Sequence, residues 1–317
     1  MRAETLNFLA LLAVVFVVGG LILGLRALCP PQPGQARELG TWTIVCTHHK
    51  EDTSWMKQVL FAYPDIRLVV YECGVSTAPE SHGRLQLRDK RESLVDAGAF
   101  YAYFDYAVRD YGAFPDHVVL LHGHDLSPHQ LFSVVELIAW LRGIIQWHPH
   151  PPSYINLGEY VFGDWVAPSD GDGGMVDMLR RTQNGHDALS AMGCLDPPQV
   201  LCELNAGQVY LARKRLLARS PSYWEALRGL TVRGSFRLRE GEPRDYVLEG
   251  ALHHIFGEPW VRPYVEERLE AWIDNEENRE RDDFANELLC LADEAGLDIR
   301  SGLEQRKRNK QLLFGDA

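Results

Sequence analysis

Three catalytic signatures are missing from this chain. It has no Gly-x-x-x-x-Gly-Lys-[Ser/Thr] loop, no Gly-x-Ser-x-Gly elbow and no His-Glu-x-x-His helix. The sequence therefore makes no case for a P-loop nucleotidase, a hydrolase with a nucleophile elbow or a zincin. Low-complexity tracts and internal repeats are absent too, which argues against a solenoid. Positive charge is in deficit: 32 Lys and Arg stand against 44 Asp and Glu, a formal net charge of −12. Nucleic-acid phosphates need a basic surface, so this balance argues against a nucleic-acid partner. Cysteine is sparse. Cys46 and Cys73 fall in apolar, strand-like runs and read as core thiols. Cys194 and Cys202 would either bridge a short loop or stay reduced.

What the chain does contain is an ordinary globular composition, 46% hydrophobic and 24% charged over 317 residues. That length fits one large domain or two small ones. The first part differs sharply from the rest. "FLALLAVVFVVGGLILGL", from Phe8 to Leu25, carries no charge. As a helix it would span about 27 Å, close to a bilayer core. It ends at "LRALCPP", a poor signal-peptidase site, which favours an uncleaved anchor over a secretory leader. The expected organisation is a short tail at 1–4, a transmembrane anchor at 5–26, a Pro/Gly-rich stalk at 27–40, an α/β domain at 41–263 and a charged helical region at 264–317. The membrane is then a partner through the N-terminal helix. The flanking charges do not set its orientation.

Within the domain, strands alternate with helices. "TWTIVCTHH", "IRLVVYECG" and "HVVLLHGHD" read as buried strands, "SYINLGEYV" as a fourth and Gln208 to Ala212 as another. Helical spacing appears in "EDTSWMKQVLFAY", in the aromatic stretch around Tyr101 to Tyr111, and in "SPHQLFSVVELIAWLRGII" with Ser127 at its cap. The fold class this predicts is α/β, a mainly parallel central sheet with helices on both faces, plus the N-terminal transmembrane helix and a helical C-terminal tail.

Ligands of such sheets bind outside the carboxyl ends of the strands. Three polar strand ends should meet there. "HGHD" sets His122, His124 and Asp125 at the end of an apolar strand, with His129 in reach. Imidazoles and a carboxylate suit a divalent metal; they also suit hydrogen bonds to loop backbone or to solvent. His48, His49, Glu51 and Asp52 form a second polar group. We expect His122, His124 and Asp125 to share a pocket with Glu51 and with Arg91 or Glu92. Glu249 and His253 are spaced i,i+4 on a helical segment, as a structural hydrogen bond or as a base and its partner.

The order of these motifs resembles the membrane-anchored family known as domain of unknown function 3431. "HKEDTSWM" keeps the family's Glu51, Asp52 and Trp55; "YECG" keeps Tyr71 and Gly74; "RDKRE" keeps Arg91 and Glu92. "NAGQVYLARKRL" matches through Gly207, Gln208 and Arg213, and "EGALHHIFG" through Glu249, Ile255, Phe256 and Gly257. The layout is similar to that of GT-A nucleotide-sugar glycosyltransferases. The resemblance implies transfer of a sugar from a nucleotide-sugar donor to a glycan or protein acceptor, in a Golgi or other secretory-pathway membrane with a luminal domain. It implies donor contacts at Glu51, Asp52, Arg91, Glu92 and Gln208, and a catalytic pair at Glu249 and His253. It also implies a Mn or Mg ion on Asp125, His122 and His124. This chain departs from the pattern in having one carboxylate, Asp125, where an Asp-x-Asp would stand. Two other classes stay open: a non-catalytic, membrane-tethered binding module of the same fold, and a His-ligated metal hydrolase. Donor, acceptor and oligomeric state are not written in the sequence.

Overall fold

A computed structural model describes residues 36–49, 51–73, 83–90, 98–127, 130–158, 207–232, 248, 252–259 and 287–314. Six strands form one sheet: β1 (Trp42–His48), β2 (Ile66–Cys73), β3 (Leu85–Lys90), β4 (His117–Leu121), β5 (Tyr154–Asn156) and β6 (Val209–Ala212), in the order β3-β2-β1-β4-β6-β5. The strands β3, β2, β1 and β4 are parallel. Strand β6 pairs antiparallel with both β4 and β5. β1 and β4 are buried almost without a break. Burial on both faces suits apolar runs with no polar alternation, and it places these two strands at the centre.

The helices named among the described residues are α1 (Ser54–Ala62), α2 (Gly98–Arg109), α3 (Val134–Trp147), α4 (Arg213–Leu217), α5 (Pro221–Leu230), α6 (Glu287–Glu294) and α7 (Arg300–Phe314). Alternate strand residues feed two cores. Ile44, Cys46, Val119 and Leu121 pack with α1, α3 and α6; Val45, Val118 and Leu120 pack with α2 and α5. The C-terminal helices lie on α3. A Cβ on Gly302 would stand 2.8 Å from Trp140, so only glycine lets α7 approach this closely. Asn309 ties α7 to the turn before α3 by donating to the Leu131 carbonyl at 2.7 Å.

Two expectations are corrected here. The sheet is mainly parallel, as expected, but β6 runs against the other strands, so the fold class is mixed α/β; the expected transmembrane helix has no support. No helix among the described residues is long and apolar enough to cross a membrane; the run at 5–26 lies outside them. The helix expected from Ser127 begins instead at Val134. Ser127 and Gln130 exchange backbone hydrogen bonds instead. The reason lies in Ser133-x-x-Glu136. The Ser133 hydroxyl takes the Glu136 N–H while the Glu136 carboxylate takes the Ser133 N–H, a capping box that satisfies two otherwise unpaired donors.

Candidate functional site at the carboxyl edge of the sheet

The chain leaves β1 at His48 and folds back on itself. The Glu51 carboxylate accepts the His49 N–H at 2.6 Å, and the Glu51 carbonyl lies 3.1 Å from His48 Nε2. Asp52 accepts both the N–H (3.0 Å) and the hydroxyl (2.5 Å) of Ser54 at the start of α1. Those bonds, the hydroxyl's first, hold the Asp52 carboxyl below the usual carboxylate range.

The exit of β4 lies against this turn. A Cβ on Gly123 would stand 2.2 Å from the Thr47 carbonyl oxygen and 3.1 Å from a Glu51 carboxylate oxygen. The ends of β1 and β4 are therefore in contact, and His-Gly-His needs its glycine for that reason. The Trp55 indole N–H fixes the turn from below, donating to the Gly123 carbonyl at 2.8 Å. The His122 and His124 rings meet edge to face, centroids 5.4 Å apart. From the other side comes the entry to β6. Gly207 has a left-handed φ of 74°. A Cβ there would stand 2.9 Å from His122 Nε2 and 3.5 Å from Phe100, at the start of α2. The structure thus brings His122, His124, Glu51 and the Gly207–Gln208 entry to one edge. Gln208 is fully buried, and neither its amide oxygen nor its amide nitrogen has a hydrogen-bond partner among the described residues. His48 is buried with Nδ1 in the same condition.

Asp125 faces differently. Its carboxylate accepts the Val134 N–H at 2.7 Å, at the start of α3. The Gln130 amide holds the Asp125 and Phe132 carbonyls, at 2.9 and 3.0 Å. Burial pushes the Asp125 carboxyl up, the Val134 bond pulls it down, and the charges of Glu136 and Asp52 add to the rise. The expected metal cup of His122, His124 and Asp125 does not form. Among the described residues, no three His, Cys, Asp or Glu side chains are grouped to hold a metal ion. The physical reason is the commitment of Asp125 to the helix end. With one Asp125 oxygen given to Val134, the described residues offer no three-ligand set that fits a Mn or Mg ion.

Arg91, Glu92, Glu249 and His129 lie outside the described residues. His253 is described and fully buried, on a helical turn whose Leu252, Ile255 and Phe256 belong to the core under α2. Two residues that sequence reasoning missed explain why the "VYLARKRL" and "HHIFG" stretches travel together. Arg215 donates to the Gly257 carbonyl at 2.8 Å and pairs with Glu258; Arg219 donates to the carbonyls of His254 (2.9 Å) and Ile255 (3.2 Å). These guanidiniums cap the helical turn that carries His253 and His254. Their i,i+4 spacing was the available signal.

No family model matches the chain, and no curated protein matches it. The resemblance to domain of unknown function 3431 thus has no family-model match behind it. Among solved structures, the chain is similar to the mannosyltransferase PcManGT from Pyrobaculum calidifontis, in complex with GDP-Man and Mn2+. The TM-score is 0.31 at 13% identity, covering 96% of this chain and 91% of that one. A score that low leaves the geometry of the site itself to carry any functional reading.

Proposed function

We propose that this chain is a glycosyltransferase-like protein that binds a nucleotide sugar at the carboxyl edge of its sheet and passes the sugar to a glycan or protein acceptor. Gln208 carries the reading. A buried primary amide with both ends unpaired costs roughly 1–3 kcal/mol per unmet group. A ligand that offers a donor and an acceptor side by side recovers that cost. Base edges and vicinal sugar hydroxyls both do so. The amide belongs to the residue after Gly207, which abuts His122 where the strand ends converge, and α/β sheets bind their ligands at that edge. In this reading Glu51 and Asp52 border the donor site, Arg91 and Glu92 contact the donor, and Glu249 takes the acceptor's proton with His253 as its partner. The bond from the anomeric carbon to the diphosphate breaks as the bond to the acceptor oxygen forms.

One observation favours the second reading, a binding module without catalysis. Glu51, Asp52 and Asp125 each accept a backbone N–H, from His49, Ser54 and Val134. None of the three is poised as a base. Titration calorimetry of the full chain against a panel of nucleotide sugars, followed by an assay for released nucleoside diphosphate with glycan acceptors, separates the two. Binding with release is the expected result. Binding without release selects the module, and no binding of any donor overturns the proposal.

A further inference from the structure

We infer that Asp125 is a positioning residue that fastens the His122–Gly123–His124 turn to the start of α3, and that nucleotide-sugar binding at this edge needs no divalent cation. This rests on the proposed function for its ligand, and on the geometry of Asp125 for the rest.

The first turn of a helix presents N–H groups with no partner inside the helix. On α3 the Ser133 hydroxyl serves the Glu136 N–H, and the Asp125 carboxylate reaches back to serve the Val134 N–H. Asp125 therefore completes the cap from eight positions upstream of Ser133. The loop between them is built around that link. Gln130 is buried and its amide clamps Asp125 and Phe132, the residue before the cap. Ser127 and Gln130 exchange backbone hydrogen bonds beside it. A cation drawing on the same carboxylate oxygen would take it from the Val134 N–H and loosen this clamp. The two imidazoles that remain, with a Glu51 carboxylate already bonded to the His49 N–H, fall short of the six or so oxygen-rich positions that Mg prefers, and of the carboxylate set that suits Mn.

The test uses the full chain as wild type, Asp125→Asn and Asp125→Ala. Asparagine keeps an oxygen that can accept the Val134 N–H but is a poor ligand for a hard cation. Calorimetry with the nucleotide-sugar panel is run in Mn2+ and in EDTA. Equal affinity in both conditions is expected, with Asp125→Asn retained close to wild type. Asp125→Ala should weaken binding by about tenfold, to the same degree in both conditions, and lower the melting temperature. Binding that requires Mn2+, or that Asp125→Asn abolishes as fully as Asp125→Ala, overturns the inference and leaves the proposed function standing. If no donor binds in either condition, the proposed function fails instead. Titration with Mn2+ alone then decides the metal: no saturable binding upholds the role of Asp125, and one saturable site lost in Asp125→Asn overturns it.

Discussion

Gln208 is held at a disadvantage that its fold has no need of. An apolar side chain of similar length would fill the same space without leaving an amide unpaired. We therefore expect Gln208→Met to raise the free energy of unfolding by about 1–2 kcal/mol, read from urea midpoints, and to weaken nucleotide-sugar binding by about tenfold or more. A stabilised variant with unchanged affinity would show that Gln208 does not meet the ligand. The histidines of the neighbouring turn were legible in the sequence because an apolar run stops at them. The walls around them were not. Thr47 reaches Gly123 and Gly207 reaches His122, with Phe100 against Gly207, from three remote parts of the chain, and nothing in a local pattern records which backbone will touch which. Glu51 was expected as a neighbour and is one, although one of its oxygens serves the His49 amide.

The start of α3 shows how an element can be misplaced while its existence is plain. Ser127-Pro128 has the look of a cap followed by a first-turn proline, and the apolar spacing after it is helical. Ser133-x-x-Glu136 competes for the same role and prevails, because it satisfies two donors at once. Ser133→Ala should cost about 1 kcal/mol, measured by chemical denaturation, whereas Ser127→Ala should leave the helix start unchanged. Equal effects from the two would contradict the cap assignment. The direction of β6 was illegible for a different reason. "QVYLA" is an apolar run, and such a run reads the same for a parallel and an antiparallel strand. Its partner settles it, through pairs such as Leu120 with Val209. The buried centre was the easier part: "TIVC" and "VVLL" lack polar alternation, and both lie in the middle of the sheet.

At the scale of the whole molecule, acid sensitivity has an identifiable source at the edge opposite the site. His117, the first residue of β4, stacks on Trp42 at 4.3 Å, with Nδ1 2.8 Å from the Tyr210 hydroxyl. Burial pushes its pKa down to about 4, against a weaker upward pull from Asp116. The unfolded chain, with a histidine near its ordinary value of about 6.5, takes up the proton first as pH falls. The stability tied to this group is therefore complete above pH ~6.5 and is lost progressively as pH falls toward about 4. The loss is on the order of 1–2 kcal/mol at about pH 5. Urea midpoints across that range should show the slope in the wild type and a shallower one in His117→Gln. An unchanged slope in the variant would place the sensitivity elsewhere.

The antiparallel setting of β6 has one more consequence. Because β5 ends and β6 begins at the same edge, the chain departs at Gly158 and returns at Gly207 within one small area. Both ends are secured there. The Gly158 N–H is held by the Asn156 side chain at 3.0 Å, and the Leu157 N–H by the Gln208 carbonyl at 3.0 Å. For protein engineering, that pair of glycines is a graft port. Whatever sequence is spliced between them begins and ends at the carboxyl edge of β4, beside His122.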